Sequence, residues 1–242
     1  MKPPKLHHLP QFQKTLASYQ ASAHAKDVLK DVKLILLLAA TSTGRSVVTR
    51  HLLGTGRYYY IISDTTRPPQ LRDGKMEQNG VQYYFRSETD FLRDLKAGNY
   101  LEAEIIHGQQ VSGISIHELE RARRSHKIAF TETDIAGVLN IKEIKPDTTV
   151  IFLLPPSFTE WQIRIAGRGG LSELEIGRRL KTAESFLAEA PKHKFIKFVV
   201  AGDINETVDT IDKVIAGKRN PHQAHGRKLV VQLLCDLQKA MH

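Results

Sequence analysis

Cysteine is almost missing from this chain. Cys235 is the single one in 242 residues. No disulfide can form within the chain, and a reducing compartment suits it. Long apolar runs are missing as well. None approaches the ~20 residues that a membrane span needs. Lys14, His24, Lys26 and Asp27 interrupt any apolar core in the first 30 residues. No secretory signal is therefore expected, and a cytoplasmic location is. There is no internal repeat and no low-complexity tract. His7 and His8 have no nearby partner at ligand spacing, so they are expected to be solvated rather than metal-bound. Acidic residues are outnumbered, 26 against 35 basic, for a net charge of +9. A positive field favours anionic partners, which include nucleotides, nucleic acid and membrane surfaces, and it does not choose among them. What remains is the composition of a globular chain, 41% apolar and 25% charged.

The most informative stretch is Leu34 to Leu53. The apolar run Leu34–Leu38 predicts a buried parallel strand, because such a strand is apolar on both faces. A polar loop from Ala39 to Ser46 follows. Val47, Val48, His51 and Leu52 then recur at helical spacing. A strand–loop–helix of this kind aims the unpaired N–H groups of a helix start at one place, which binds phosphate. The phosphate loop has the form G-x-x-x-x-G-K-[ST]. Here the eight positions read Ala39-Ala40-Thr41-Ser42-Thr43-Gly44-Arg45-Ser46. The second Gly and the Ser fit; the first Gly and the Lys do not. Alone, the stretch is equally an ordinary βα turn.

The rest of the chain alternates strand and helix signals. Residues 1–10 read as loosely attached. One helix is expected over 11–30, with Phe12, Leu16, Tyr19, Ala23 and Leu29 partly on one face. Tyr58–Ile62 is a β-rich run leading into the loop Ser63–Pro69. A short strand is expected over Val81–Phe85. Ser87 reads as the N-cap of a helix stopped by Gly98. Tyr100–Ile106 reads as extended, with Glu102 and Glu104 on one face, and 108–115 as a loop. Ile116–Lys127 reads as a helix, and Ile128–Thr133, Val150–Leu154 and Phe195–Ala201 as strands. Ser157 with Glu160, and Ser172 with Glu175, make capping boxes for two helices. Asn205 is expected to cap a helix ending at Gly217, and 218–242 to be basic, then helical. This order predicts a mostly parallel sheet flanked by helices, interrupted by a small inserted lobe.

Several motifs in sequence order resemble the guanylate kinase family. They are Ser63-Asp64-Thr65-Thr66-Arg67-Pro68-Pro69; then Glu77, Gly80 and Tyr83-Tyr84-Phe85; then Leu101-Glu102 through Gly108. Glu132-Thr133-Asp134-Ile135-Ala136-Gly137 follows, then Pro155-Pro156-Ser157, Arg164, Gly167-Arg168-Gly169 and Arg179. The resemblance implies a P-loop NTPase-type α/β fold. It implies a domain over 33–216, with a GMP-binding lobe at about 64–115 and a helical lid at about 157–182. Residues 1–32 and 217–242 would be extensions. It also implies transfer of a phosphoryl group from ATP, with Mg²⁺, to GMP. Thr41, Ser42, Thr43, Gly44, Arg45 and Ser46 would hold the ATP phosphates, with Ser46 on the Mg²⁺. Arg67 and Tyr83 would clamp the GMP phosphate, with Arg72 and Glu77 beside them. Glu102 would accept from the guanine ring N–H and amino group, with Ser63 and Asp134 completing base recognition. Arg164, Arg168 and Arg179 would close over the transferring group, and Arg45 and Asp134 would take part in catalysis.

The departures fall at ligand positions. Ala39 replaces the first loop Gly, which would cost ~1 kcal/mol if that site needs φ > 0. Arg45 replaces the Lys, and a guanidinium is no compact point charge. Ser112-Gly113-Ile114 stands where the family has Y-G-[ST]. Gln70 stands at a second phosphate arginine, for which Arg72 can substitute through a shifted loop. Ala201 stands at an expected Asn. Two readings follow: a nucleotide kinase, slow or altered in substrate, or a non-catalytic module whose GMP lobe binds a protein partner. A nucleic-acid binder is the weaker third, since no binding motif supports the charge.

Overall fold

The computed structural model describes residues 6–72, 74–106, 108–167 and 173–241. The chain divides into two compact units.

The larger unit comprises Ile35–Tyr58, Phe130–Lys142 and Asp147–His242. Its centre is a parallel sheet. The first strand, β1 (Leu34–Ala39), has all six residues buried, as its unbroken apolar run requires. It is followed by α3 (Arg45–Gly54). Further strands are β2 (Tyr58–Tyr60), β9 (Ile128–Glu132), β10 (Thr149–Leu154) and β11 (Ile196–Val200). The order across the sheet is β11-β10-β1-β9-β2. β1 and β10 run parallel with Leu36 opposite Val150, and β10 and β11 run parallel with Phe152 opposite Phe198. The flanking helices are α6 (Ile135–Ile144), α7 (Phe158–Ala166), α8 (Glu173–Glu189), α9 (Ile204–Ile215) and α10 (Gln223–Met241). The segment after α9 runs along β11 and bonds it with side chains. Asn220 Nδ2 donates to the Phe198 carbonyl at 2.9 Å, and Gln223 Oε1 accepts the Phe198 N–H at 3.0 Å. Gln223 Nε2 donates to the Ile196 carbonyl, and His222 Nδ1 accepts the Val200 N–H.

The smaller unit comprises Met1–Leu34, Tyr59–Ala129 and Glu143–Pro146. It carries α1 (Leu9–Leu16), α2 (Ala23–Lys30), β3 (Asp64–Thr65), the hairpin β4 (Leu71–Arg72) and β5 (Lys75–Met76), and β6 (Tyr84–Phe85). Then come α4 (Glu88–Lys96), β7 (Tyr100–Ile106), β8 (Gln110–Ser115) and α5 (Ile116–Arg124). Its four-stranded sheet has the order β6-β3-β8-β7. The core beneath it joins Leu6 and Phe12 to Phe91, Leu92, Leu95, Tyr100 and Val111. The Phe91 and Tyr100 rings stack at 4.4 Å, and Phe12 meets Phe91 edge-on.

Five sequence expectations are corrected. Residues 11–30 are two helices, not one, because Ser22 accepts the Ala25 N–H and starts α2 afresh. Residues from Leu6 on are attached rather than loose: Leu6 is buried, and the Glu88 carboxylate takes the N–H groups of His7 and His8. Residues 110–115 are strand β8, paired antiparallel with β7. Gly113 is glycine for closeness: a Cβ there would lie 2.5 Å from the Glu102 carbonyl oxygen. The cap of α9 is Asp203, whose carboxylate accepts from the N–H groups of Asn205 and Glu206, rather than Asn205 itself. Helix α6 had no counterpart in the sequence reading. The Ser87 and Ser157 caps form as expected, accepting from Asp90 and Glu160. The Ser172 cap and Arg168 lie outside the described residues.

Candidate active site

In the larger unit the loop between β1 and α3 is held by its carbonyls. Thr43 Oγ1 donates to the Ala40 carbonyl at 2.7 Å. Trp161 Nε1, from α7, donates to the Thr41 carbonyl at 2.7 Å, its ring fully buried. Arg164, one turn further along α7, donates from one terminal nitrogen to the Thr43 carbonyl at 2.9 Å and to the Ala201 carbonyl at 3.0 Å. Its Nε is steadied by Glu160. Three successive tethers thus take up carbonyl groups. Among the described residues, the N–H groups of Ser42–Ser46 donate to no protein acceptor. Ser42, at φ 57°, and Gly44, at φ 102°, turn the backbone left-handed. Such turns gather N–H groups into an anion-binding concavity at the start of a helix.

The departures from the loop pattern have distinct outcomes. Ala39 belongs to β1, opposite Leu153, and is not among the positive-φ residues, so the expected strain does not arise. Arg45 is the first residue of α3, and its Nε pairs with the Glu132 carboxylate at 2.8 Å. Thr49 Oγ1 lies 3.4 Å from the same carboxylate. Asp134 caps α6 by accepting the Gly137 N–H at 2.7 Å. A Cβ at Gly137 would lie 2.1 Å from Thr133 Oγ1, which explains the glycine. Arg179 bonds Glu175 one turn back in α8, at 2.8 Å. Among the described residues, no hydrogen bond joins it to the loop.

In the smaller unit Arg67 and Glu77 form a buried fork, with contacts of 2.6 and 2.9 Å. Glu77 also accepts the Gln70 N–H. The Arg67 guanidinium lies 4.6 Å from the centre of the Tyr83 ring and 5.6 Å from that of Phe85. Burial is the largest influence and works against the Arg67 charge, but the bond and charge of Glu77 together with Tyr83 outweigh it, and the net shift is upward. Glu102 and Glu104 do share a face of β7, opposite Ile114 and Ser112. Ser112 Oγ donates to Thr65 Oγ1. Ser63 precedes β3, and its carbonyl accepts the Tyr84 N–H. Arg72 lies in β4 opposite Lys75.

Sequence reasoning missed two buried carboxylates in this unit. Asp64, beside Ser63, accepts from Tyr100 Oη at 2.8 Å and Arg86 at 3.0 Å. Burial raises its pKa against the pull of those two donors. Glu118 is fully buried and accepts from the Tyr59 hydroxyl and the Ile62 N–H. No local pattern marked either one.

The guanylate kinase family model matches residues 31–218. The chain belongs to the guanylate kinase family. A guanylate kinase of Corynebacterium diphtheriae is 34% identical over 189 residues, 77% of this chain and 96% of that protein. One of a Nostoc species is 34% identical over 201 residues, covering 83% and 98%. A crystal structure of guanylate kinase from Anaplasma phagocytophilum shares the fold, with a TM-score of 0.53 at 24% identity over 79% of this chain and 89% of that one. This guanylate kinase family member carries the whole of α1, α2 and α10 outside the matched region. Among the described residues no helix is long and apolar enough to cross a membrane, and no three His, Cys, Asp or Glu side chains gather to hold a metal.

Proposed function

We propose that the chain is a nucleoside-monophosphate kinase that moves the γ-phosphoryl group of ATP to GMP, giving ADP and GDP. The observation that carries this is its 34% identity to guanylate kinases across 96–98% of their length. The tied-back phosphate loop supports it. In this reading residues 64–115 serve as the acceptor lobe and 157–182 as the lid, with 1–32 and 217–242 as additions. The N–H groups of Thr41–Ser46 take the ATP phosphates. Arg67, held by Glu77 and stacked by Tyr83, takes the GMP phosphate with Arg72. Ser63, Glu102 and Asp134 read the base, because a carboxylate matches the paired donors of guanine. Arg164 keeps the loop in shape, and Arg168 and Arg179 neutralise the group in transit. Mg²⁺ usually binds through one or two protein oxygens plus phosphates and water, and the Ser46 hydroxyl in the first turn of α3 is a single oxygen donor of the kind that fits it. When bound, it neutralises phosphate charge. With one cysteine, we propose a reducing, cytoplasmic setting.

A coupled assay of ADP formation with ATP and Mg²⁺ tests the reading. Turnover should require GMP; none with GMP present overturns it. The Arg45–Glu132 pair favours a second reading, a non-catalytic module, because the loop's one cation is already engaged. Turnover by Arg45→Lys but not by the native chain would select it. For the acceptor site, Glu102→Ala should weaken GMP binding at least tenfold, about 1.4 kcal/mol, in calorimetry. Unchanged affinity would remove Glu102 from base recognition.

A further inference from the structure

The family match begins at residue 31, so Tyr19 lies outside it. The Tyr19 hydroxyl nevertheless takes both backbone groups of Tyr100. It donates to the carbonyl at 2.6 Å and accepts from the N–H at 3.1 Å. β7 is the edge strand of its sheet. One phenol therefore stands where a neighbouring strand would stand. The place matters, because the β7–β8 register shifts between Tyr100 and Glu102. A bulge of this kind bends a strand and re-aims the side chain beside it. Tyr19 is well anchored, packed against the Phe12–Phe91–Tyr100 cluster. Burial raises its pKa, so the hydroxyl keeps the proton it donates. The tie continues beyond Tyr100. The Tyr100 phenol donates to Asp64, and Asp64 is the neighbour of Ser63. Tyr100 thus links the strand that carries Glu102 to the residue beside Ser63.

We propose that Tyr19 is a positioning residue for guanine recognition: its hydroxyl fixes the bulge that aims Glu102 at the base. This rests on the reading of Glu102 given above. Calorimetry of the full chain with GMP and with IMP tests it, because IMP lacks the amino group that Glu102 would bind. The native chain should prefer GMP. Tyr19→Phe keeps the ring and loses only the hydroxyl. It should weaken GMP binding about fivefold, narrow the GMP-to-IMP ratio and leave ATP affinity within twofold. In a Glu102→Ala background the same change should cost less than twofold, since its effect runs through Glu102. A merely structural role would move neither the ratio nor this coupling. GMP affinity and ratio within twofold of native in Tyr19→Phe overturn the proposal. So does an equal loss in both backgrounds. A native chain that binds neither nucleotide, or binds both equally, overturns the Glu102 reading itself and this inference with it. That failure is recognisable because it appears before any substitution is made.

Discussion

Glu77→Ala is expected to cost about 3–5 kcal/mol of stability, because it leaves the buried Arg67 guanidinium with no opposite charge. Side-chain exposure is 9% for Arg67 and 1% for Glu77, so little water can replace the lost carboxylate. For a chain of this size the loss corresponds to a fall of roughly 6–20 °C in melting temperature. Thermal or urea unfolding reads it directly; a loss under about 1 kcal/mol would mean that the pair is not desolvated. The double change Arg67→Met with Glu77→Leu should recover most of the stability, since apolar residues can replace a buried pair without penalty. It should not recover GMP binding. A doubly substituted chain that is stable yet at least tenfold weaker for GMP would separate the two duties of Arg67.

The second large effect concerns Arg164. Arg164→Ala removes the fork between the Thr43 and Ala201 carbonyls and leaves Trp161 as the only tether from α7 to the loop among the described residues. A shift of about 1 Å in a preorganised site costs ~10²-fold in rate, so turnover should fall by that order while KM for ATP rises. GMP affinity should stay within twofold. Arg164→Lys should recover only part of the loss, because a single ammonium cannot bond both carbonyls and also replace the Nε–H bond to Glu160. Turnover and KM for ATP both within twofold of native in Arg164→Ala would show that the loop keeps its shape unaided.

Much of the fold was legible because its signals are local. β1 declared itself as an unbroken apolar run, and Ser87 and Ser157 each carry their capping partner three residues on. The illegible parts depend on distant partners. β8 reads in the sequence as part of a loop over 108–115, and its pairing with β7, close enough at Gly113 to exclude a Cβ, is visible only once the two strands are side by side. The two-helix start became clear only with the bonds of Ser22 and Tyr19. In the site, the loop pattern could be seen but not what holds it. Trp161 belongs to no motif that the sequence shows, yet its indole reaches a carbonyl 120 positions away. Arg45 could be read as a departure, but its pairing with Glu132 needed the strand end to be in place. Arg67 and Glu77, ten residues apart, were both picked out, though not as each other's partners.

The side chains that lie along β11 have a consequence for how the molecule meets copies of itself. β11 is the last strand on its side of the sheet, and an open strand is a template on which another chain can add. Asn220, His222 and Gln223 occupy hydrogen-bonding groups of Ile196, Phe198 and Val200. These three residues follow the point where the family match ends. The tail therefore works as a guard against strand-by-strand polymerisation, built from amides and an imidazole instead of another stretch of backbone.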